Sequence, residues 1–354
     1  MLDVADVAGY LLQRELLSPR AVVDGGLRVV DASRLNRVFV VTAESEPCFV
    51  LKAADGAGGA GVEREAAVLK RLAAVYGLAP WLPRLVSHDK ADGLIVLESA
   101  RHARDLTRHH ARGRFSCALA RDAGRALALL HALPPAALDV APADPTPALR
   151  VHEPDLESVL EMSPAAVELM RIVQGSHELC AALDELAATW REDAVIHGDI
   201  RWDNLLVLRG DDSKRWTRLQ LIDWELCGAG DPAYDIGAYF GEYLRAWLQS
   251  IPITDPQDPG RLLAHAGVPL RRMRPALRAF WTAYTGHAQA TASELSGTLR
   301  RASRFAGLRL LTAALEEAQG HDELLARVAY LVPLSRNVLR RPEEASAHLL
   351  GLPA

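Results

Sequence analysis

The chain has 354 residues and a formal net charge of −5. That length exceeds one ordinary single-core domain and suits two lobes, while so mild a charge gives no general pull towards nucleic acid or a membrane surface. The N-terminus carries no basic segment ahead of an apolar core, and no uninterrupted apolar run reaches membrane-spanning length, so a cytoplasmic globular protein is expected. Cys48, Cys117, Cys180 and Cys227 are scattered without C-x-x-C spacing and read as free thiols.

Residues 3–17 set Val4, Val7, Ala8, Leu11 and Leu12 at helical spacing behind Asp3 as N-cap, which predicts an opening amphipathic helix. Its apolar face must rest on something. Three β-rich segments follow at 27–31, 38–43 and 48–53, the last two joined by the turn 44–47. Between the first two lies S-R-L-N-R, residues 33–37, a turn without glycine. It is either a solvated basic turn or a set of side-chain donors for an anion. After a Gly- and Ala-rich loop at 55–61, Ala66, Leu69 and Leu72 fall on one side of a helix that also carries Glu63 and Glu65. Residues 83–88 and 94–98 read as two further strands.

Past Glu98 the pattern turns helical, so residues 98–100 are expected to form a hinge between an N-lobe, 1–98, and a C-lobe, 99–354. Arg101, Arg104, Arg108 and Arg112 recur at spacings of three and four, which on one helix makes a basic face, either solvated or facing an anionic partner. Residues 115–133 read as a strong amphipathic helix, 134–154 as a Pro- and Ala-rich insertion, and 156–190 as renewed helix. From 134 to 194 acidic residues dominate, with Arg150, Arg171 and Arg191 the sole cations. Further helices are expected over 238–248, 271–292, 295–317 and 324–339.

The most informative stretch reads V-I-H-G-D-I-R-W-D-N-L-L-V-L over 195–208 and L-Q-L-I-D-W-E-L-C-G-A-G-D-P-A-Y-D over 219–235. Two apolar runs, 205–208 and 219–222, flank a polar turn and predict a β-hairpin. Such a hairpin brings His197, Asp199 and Asn204 towards Asp223. Two carboxylates and a carboxamide at one mouth suit phosphoryl transfer, which needs a base for the attacking hydroxyl and oxygen ligands for Mg²⁺.

H-G-D-x-x-x-x-N followed by I-D-W-E and G-D-P-x-x-D resembles the aminoglycoside phosphotransferase and choline kinase-like family, relatives of the protein kinases, whose loop reads H-R-D-x-x-x-x-N. The resemblance implies an α+β, two-lobed protein-kinase-like fold with a small antiparallel-sheet N-lobe and a mainly helical C-lobe. It implies ATP or GTP with Mg²⁺ as cofactors, Asp199 as catalytic base, Asn204 and Asp223 as metal ligands, and His197 and Asp235 as braces behind the loop. Lys52 in F-V-L-K-A matches the strand lysine that holds the α and β phosphates. Glu65 would orient it, with Glu63 as the alternative. Backbone groups at Glu98 and Ala100 would meet the edge of the base. Because the family's protein-kinase relatives carry a glycine loop that is missing here, Ser33, Arg34, Asn36 and Arg37 are the candidate replacements. Arg201 can stabilise charge on the transferred phosphoryl group. Trp202 either shapes an acceptor pocket or packs.

Two classes of acceptor fit the resemblance. One is a small-molecule hydroxyl, as on antibiotics, choline or sugars, with the acidic stretch receiving a cationic substrate. The other follows from a looser likeness of S-R-L-N-R and H-G-D-I-R-W-D-N to kinase-type enzymes of lanthipeptide pathways, which modify Ser or Thr of a precursor peptide for a partner lyase. A non-catalytic, nucleotide-binding subunit serving a partner enzyme is the alternative of a different kind. There is no A-P-E motif and no long activation loop, so control by loop phosphorylation is not expected.

Overall fold

The computed structural model describes residues 3–23, 26–33, 37–44, 47–54, 59–100, 102–209, 216–252 and 266–353. They form two compact units: Met1–Leu106 with Leu138–Val140 and Asn204–Cys227, and Thr107–Ala137 with Ala141–Asp203 and Gly228–Ala354. Against the division expected at 98/99, the first unit runs on to Leu106 and also takes in Leu138–Val140 and Asn204–Cys227.

In the first unit β1 (Arg28–Asp31), β2 (Arg37–Thr42), β3 (Cys48–Ala53), β4 (Leu85–Asp89) and β5 (Leu94–Ser99) make an antiparallel sheet in the order β1-β2-β3-β5-β4. Alternation decides which face is buried. Phe39 pairs with Leu51 and Val41 with Phe49, and Leu51 pairs with Val96, so these side chains share one face. The helix Val4–Gln13 lays Val7 and Leu11 into that cluster, both with no exposed surface. This is the support that its apolar stripe required. Each such side chain contributes roughly 1.5–3 kcal/mol by burial. Asp3 and Asp6 accept reciprocally from each other's backbone N–H and so close the helix start.

A second sheet of the same unit holds Ala103–Asp105, Leu205–Arg209 and Trp216–Leu221. The hairpin expected over 205–222 forms, with Leu205 opposite Leu221 and Val207 opposite Leu219. The first of these strands overturns the basic helical face. Arg104 lies in a strand paired to Val207, Arg108 in the short helix Leu106–His110, and Arg112 in a turn, while Arg101 is outside the described residues. Helical spacing makes a face only on one continuous helix, and the non-local pairing with the hairpin outweighs local periodicity here.

The second unit is mainly helical. Residues 156–190 break into Leu156–Leu160, Pro164–Gln174 and His177–Ala188, the first two started by side-chain caps from Asp155 and Ser163. The helices Pro232–Gln249 and Ala292–Ala318 run side by side, and glycine sets their separation: a Cβ on Gly237 would lie 2.5 Å from the Ala302 carbonyl oxygen. Ala194–Ile196 and Gly228–Gly230 form a two-stranded antiparallel ladder. No described helix is long and apolar enough to cross a membrane, and the four cysteines are free.

Candidate active site

In the first unit, the hairpin register places two residues at its open end. Asn204 and Asp223 flank the paired strands, and the Asn204 carbonyl accepts the Ile222 N–H at 3.0 Å. Asp223 adopts φ 69° and ψ 65°, a left-handed conformation rare for a residue with a side chain. Strain of this kind is held in place by surroundings and concentrates at functional positions.

Those surroundings are Lys52 and Glu65. Lys52 projects from β3 and places Nζ 2.7 Å from Asp223 Oδ1 and 2.6 Å from Glu65 Oε2. Glu65, with no exposed surface, lies on the helix Gly59–Leu72, and its other oxygen accepts the Trp224 N–H at 3.3 Å. Burial opposes the ammonium charge of Lys52, but the Glu65 and Asp223 carboxylates override it and hold its pKa above the ordinary lysine value. Burial pushes the Glu65 carboxyl up, against the pull of Lys52. Glu63, the alternative partner, instead meets His88 Nε2 at 2.9 Å.

Asn204 and Asp223 offer hard oxygen donors on neighbouring ends of two paired strands, a set that fits Mg²⁺. Asp223 uses one oxygen on Lys52 and has a side chain 34% exposed, so its second oxygen is open to an ion.

The turn between β1 and β2 is closed by Ser33 itself. Its N–H donates to Asp31 Oδ1 at 2.9 Å and its Oγ accepts the Val38 N–H at 3.0 Å. Arg37 begins β2 opposite Ala53, while Arg34 and Asn36 lie outside the described residues. At the expected hinge, the Glu98 N–H donates to the Arg84 carbonyl and its carboxylate pairs with the Arg84 guanidinium. Backbone recognition there would fall to the Glu98 carbonyl and to Ala100.

The second unit holds the loop that carries Asp199. Asp235, fully buried near the start of the helix Pro232–Gln249, accepts the backbone N–H of His197 at 2.7 Å and of Gly198 at 3.0 Å. His131 Nε2 lies 3.1 Å from the same carboxylate, and Tyr284 Oη lies 3.1 Å from His131 Nδ1. Gly198 has φ 84°, which a side chain would resist, and the Asp199 N–H reaches His197 Nδ1 at 3.3 Å. Two residues on, the Arg201 fork meets Asp203, Nε to Oδ1 at 3.0 Å and Nη2 to Oδ2 at 2.7 Å. Trp202 is 3% exposed and packs against His110, Phe115 and Tyr243. Its role is therefore internal packing. Among the described residues neither ring nitrogen of His110 has a hydrogen-bond partner, and burial, helped by His109, pushes its pKa down to about 3.

Sequence reading missed a set of buried ion pairs. Asp231 caps the helix Pro232–Gln249 and pairs with Arg301, and Arg309 joins Glu242 to Glu316. Asp231 and Arg301 are 70 positions apart and Glu242 and Arg309 are 67, while Arg309 and Glu316 stand two turns apart on one helix; the sole signal was an arginine on an otherwise apolar helix face at Arg309.

Residues 26–280 match the model of the phosphotransferase enzyme family. The fold is similar to the choline kinase of Streptococcus pneumoniae at 14% identity, covering 95% of this chain and 99% of that one with a TM-score of 0.50. It is similar to a macrolide 2′-phosphotransferase type I at 18% identity, with 96% and 98% covered and a TM-score of 0.51. The likeness to the choline kinase of Cryptosporidium parvum is at 12% identity, with 97% and 96% covered and a TM-score of 0.51. At these identities the likeness is one of fold, and it is the kinase-like fold that the sequence led us to expect. A 4-hydroxytryptamine kinase of Psilocybe cyanescens is 37% identical over 51 residues, so the match spans 14% of that relative's length and 14% of this chain.

Proposed function

Because the chain belongs to the phosphotransferase enzyme family, we propose that it moves the γ-phosphoryl group of ATP, with Mg²⁺, to a hydroxyl of a small molecule. The observation that carries this reading is the Lys52, Glu65 and Asp223 constellation beside Asn204. Lys52 would hold phosphate oxygens as a fixed positive charge, kept in place by Glu65. Asn204 and Asp223 would hold Mg²⁺, which when bound neutralises charge on the phosphates. Asp199, five positions before Asn204 in the chain, would accept the proton of the attacking hydroxyl.

For the acceptor, one feature of the second unit favours a small molecule with an apolar body and a cationic group. A cavity of about 440 Å³ is lined by Met162, Met170 and Leu315 together with Asp144, Glu153 and Asp155, which outnumber its one cation, Arg150, the partner of Glu153. The printed names of the similar proteins, which include two choline kinases and a 4-hydroxytryptamine kinase, point the same way. A peptide acceptor keeps the looser likeness of S-R-L-N-R and H-G-D-I-R-W-D-N but loses the basic helical face that would suit an acidic leader, since Arg104 and Arg108 lie on different elements. The test is incubation with ATP and Mg²⁺ against hydroxylated amines, neutral alcohols and Ser/Thr-rich peptides, read by mass. Phosphorylated amines are expected. Modification of peptides alone, or nucleotide binding with every acceptor unchanged, would overturn the reading, the latter in favour of a non-catalytic subunit.

A further inference from the structure

Six charged side chains of the second unit alternate in sign along one path. Arg245 Nη2 lies 2.8 Å from Glu242 Oε2, and Glu242 Oε1 lies 2.9 Å from Arg309 Nε. The other edge of the Arg309 fork meets both oxygens of Glu316, at 2.7 and 3.2 Å. Glu316 Oε2 lies 3.5 Å from Arg201 Nη1, and Arg201 closes the path on Asp203 with its two-point contact. The inner members are fixed: Glu242 is 1% and Arg309 9% exposed, held by facing positions of the helices Pro232–Gln249 and Ala292–Ala318. A buried guanidinium with carboxylates on both sides has one low-energy arrangement, because an unpaired charge there is costly.

All three guanidinium nitrogens of Arg201 thus face carboxylates, Nε and Nη2 on Asp203 and Nη1 on Glu316. Its charge is largely matched within the protein, which suits a tether better than a free cation for a ligand. Asp199 stands two residues away, on a loop whose other end is held by Asp235 at His197 and Gly198. Asp235 fixes where the loop enters, and nothing in that contact fixes how residues 201–203 leave.

We infer that Glu316, acting through Arg201, is a positioning residue for Asp199, with Arg309 and Glu242 holding Glu316 in turn. The inference rests on the proposed role of Asp199 as base, and reassigns Arg201 from stabilising the phosphoryl group to tethering the loop. A base displaced by a fraction of an ångström loses rate without losing nucleotide.

The experiment compares Glu316→Gln, Glu316→Asp, Arg201→Lys and the double variant Glu316→Gln/Arg201→Lys with wild type. Readouts are kcat, the KM for ATP, thermal unfolding, and amide hydrogen exchange of residues 198–203. Glu316→Gln should lower kcat by about tenfold or more with KM for ATP within about twofold, and speed exchange in that segment. Glu316→Asp, which keeps the charge, should recover much of the loss. The double variant should fall short of the product of the single losses, since both substitutions remove the same Arg201–Glu316 contact. Unchanged kcat and exchange in Glu316→Gln, equal losses for Asp and Gln, or multiplicative losses in the double variant would overturn the inference. Should Glu316→Gln unfold, Arg201→Lys against wild type decides on the same kcat and exchange criteria. If wild type itself turns over no acceptor, the proposed function has failed, and the exchange comparison alone judges the tether.

Discussion

Lys52 Nζ lies 2.7 Å from Asp223 Oδ1, although 171 positions of sequence separate the two residues. The ammonium is shared between that partly exposed carboxylate and the buried one of Glu65, so it anchors the strained Asp223 and compensates Glu65 together.

Removing it should therefore affect stability as well as nucleotide binding. Lys52→Met leaves Glu65 buried without a counter-charge, a loss of about 3–5 kcal/mol by analogy with other broken buried pairs. The pH dependence has a definite sign. Burial raises the folded-state pKa of Glu65 above its ordinary 4.5, and more so without Lys52. A raised carboxyl favours the fold below the unfolded value and loses that stability as pH rises through the folded one. The deficit of Lys52→Met in urea unfolding should open as pH rises above about 4.5, and Glu65→Gln in the same chain should recover most of it. Equal stability of Lys52→Met and wild type at neutral pH would contradict this.

His110 predicts the acid limb of stability. Its folded-state pKa is about 3 against an ordinary 6.5, because burial among Phe115, Trp202 and Tyr243 penalises the imidazolium and His109 adds to the penalty. The unfolded chain takes up this proton below about pH 6.5, so stability is complete above that value and falls between it and about pH 3. The share of His110 between pH 7 and pH 5 is up to about 2 kcal/mol. His110→Phe should flatten that part of the curve by a similar amount; an unchanged slope would mean that His110 is hydrated or paired in solution.

Gly237 tests the helix pair behind the loop. A methyl group there would lie 2.5 Å from the Ala302 carbonyl oxygen and 2.9 Å from the Ala306 nitrogen, both backbone atoms that cannot swing aside. Gly237→Ala should cost about 1–3 kcal/mol despite the better helix propensity of alanine. Gly297, on an open part of the helix Ala292–Ala318, is the control, and Gly297→Ala should be neutral or stabilising. Thermal unfolding of both variants distinguishes packing from propensity.

Much of this architecture was legible because its signals are local. Alternating Val, Phe and Leu gave the strands of the first sheet, and the apolar runs around a polar turn gave the hairpin that brings Asn204 level with Asp223. Periodicity failed at residues 99–112, where Ala103–Asp105 pairs with a strand a hundred positions later, and no local pattern encodes such a partner. The candidate site was proposed from its spelling, in H-G-D and I-D-W-E. What surrounds it was not: Glu316 lies 115 positions beyond Arg201 by sequence number, and which of Glu63 and Glu65 faces Lys52 depends on how one helix rotates against β3.

The most direct test of the central claim is the turnover of Asp199→Asn with ATP, Mg²⁺ and the acceptor that wild type phosphorylates in the mass-read comparison of amines, alcohols and peptides, with nucleotide affinity measured alongside. The substitution removes the carboxylate proposed to accept the proton and leaves Lys52, Asn204 and Asp223 as they are. Transfer should fall by about 10²–10⁴-fold while affinity for Mg²⁺-ATP stays within a few-fold of wild type. Near-normal turnover with weakened nucleotide binding would contradict the account and place the base elsewhere.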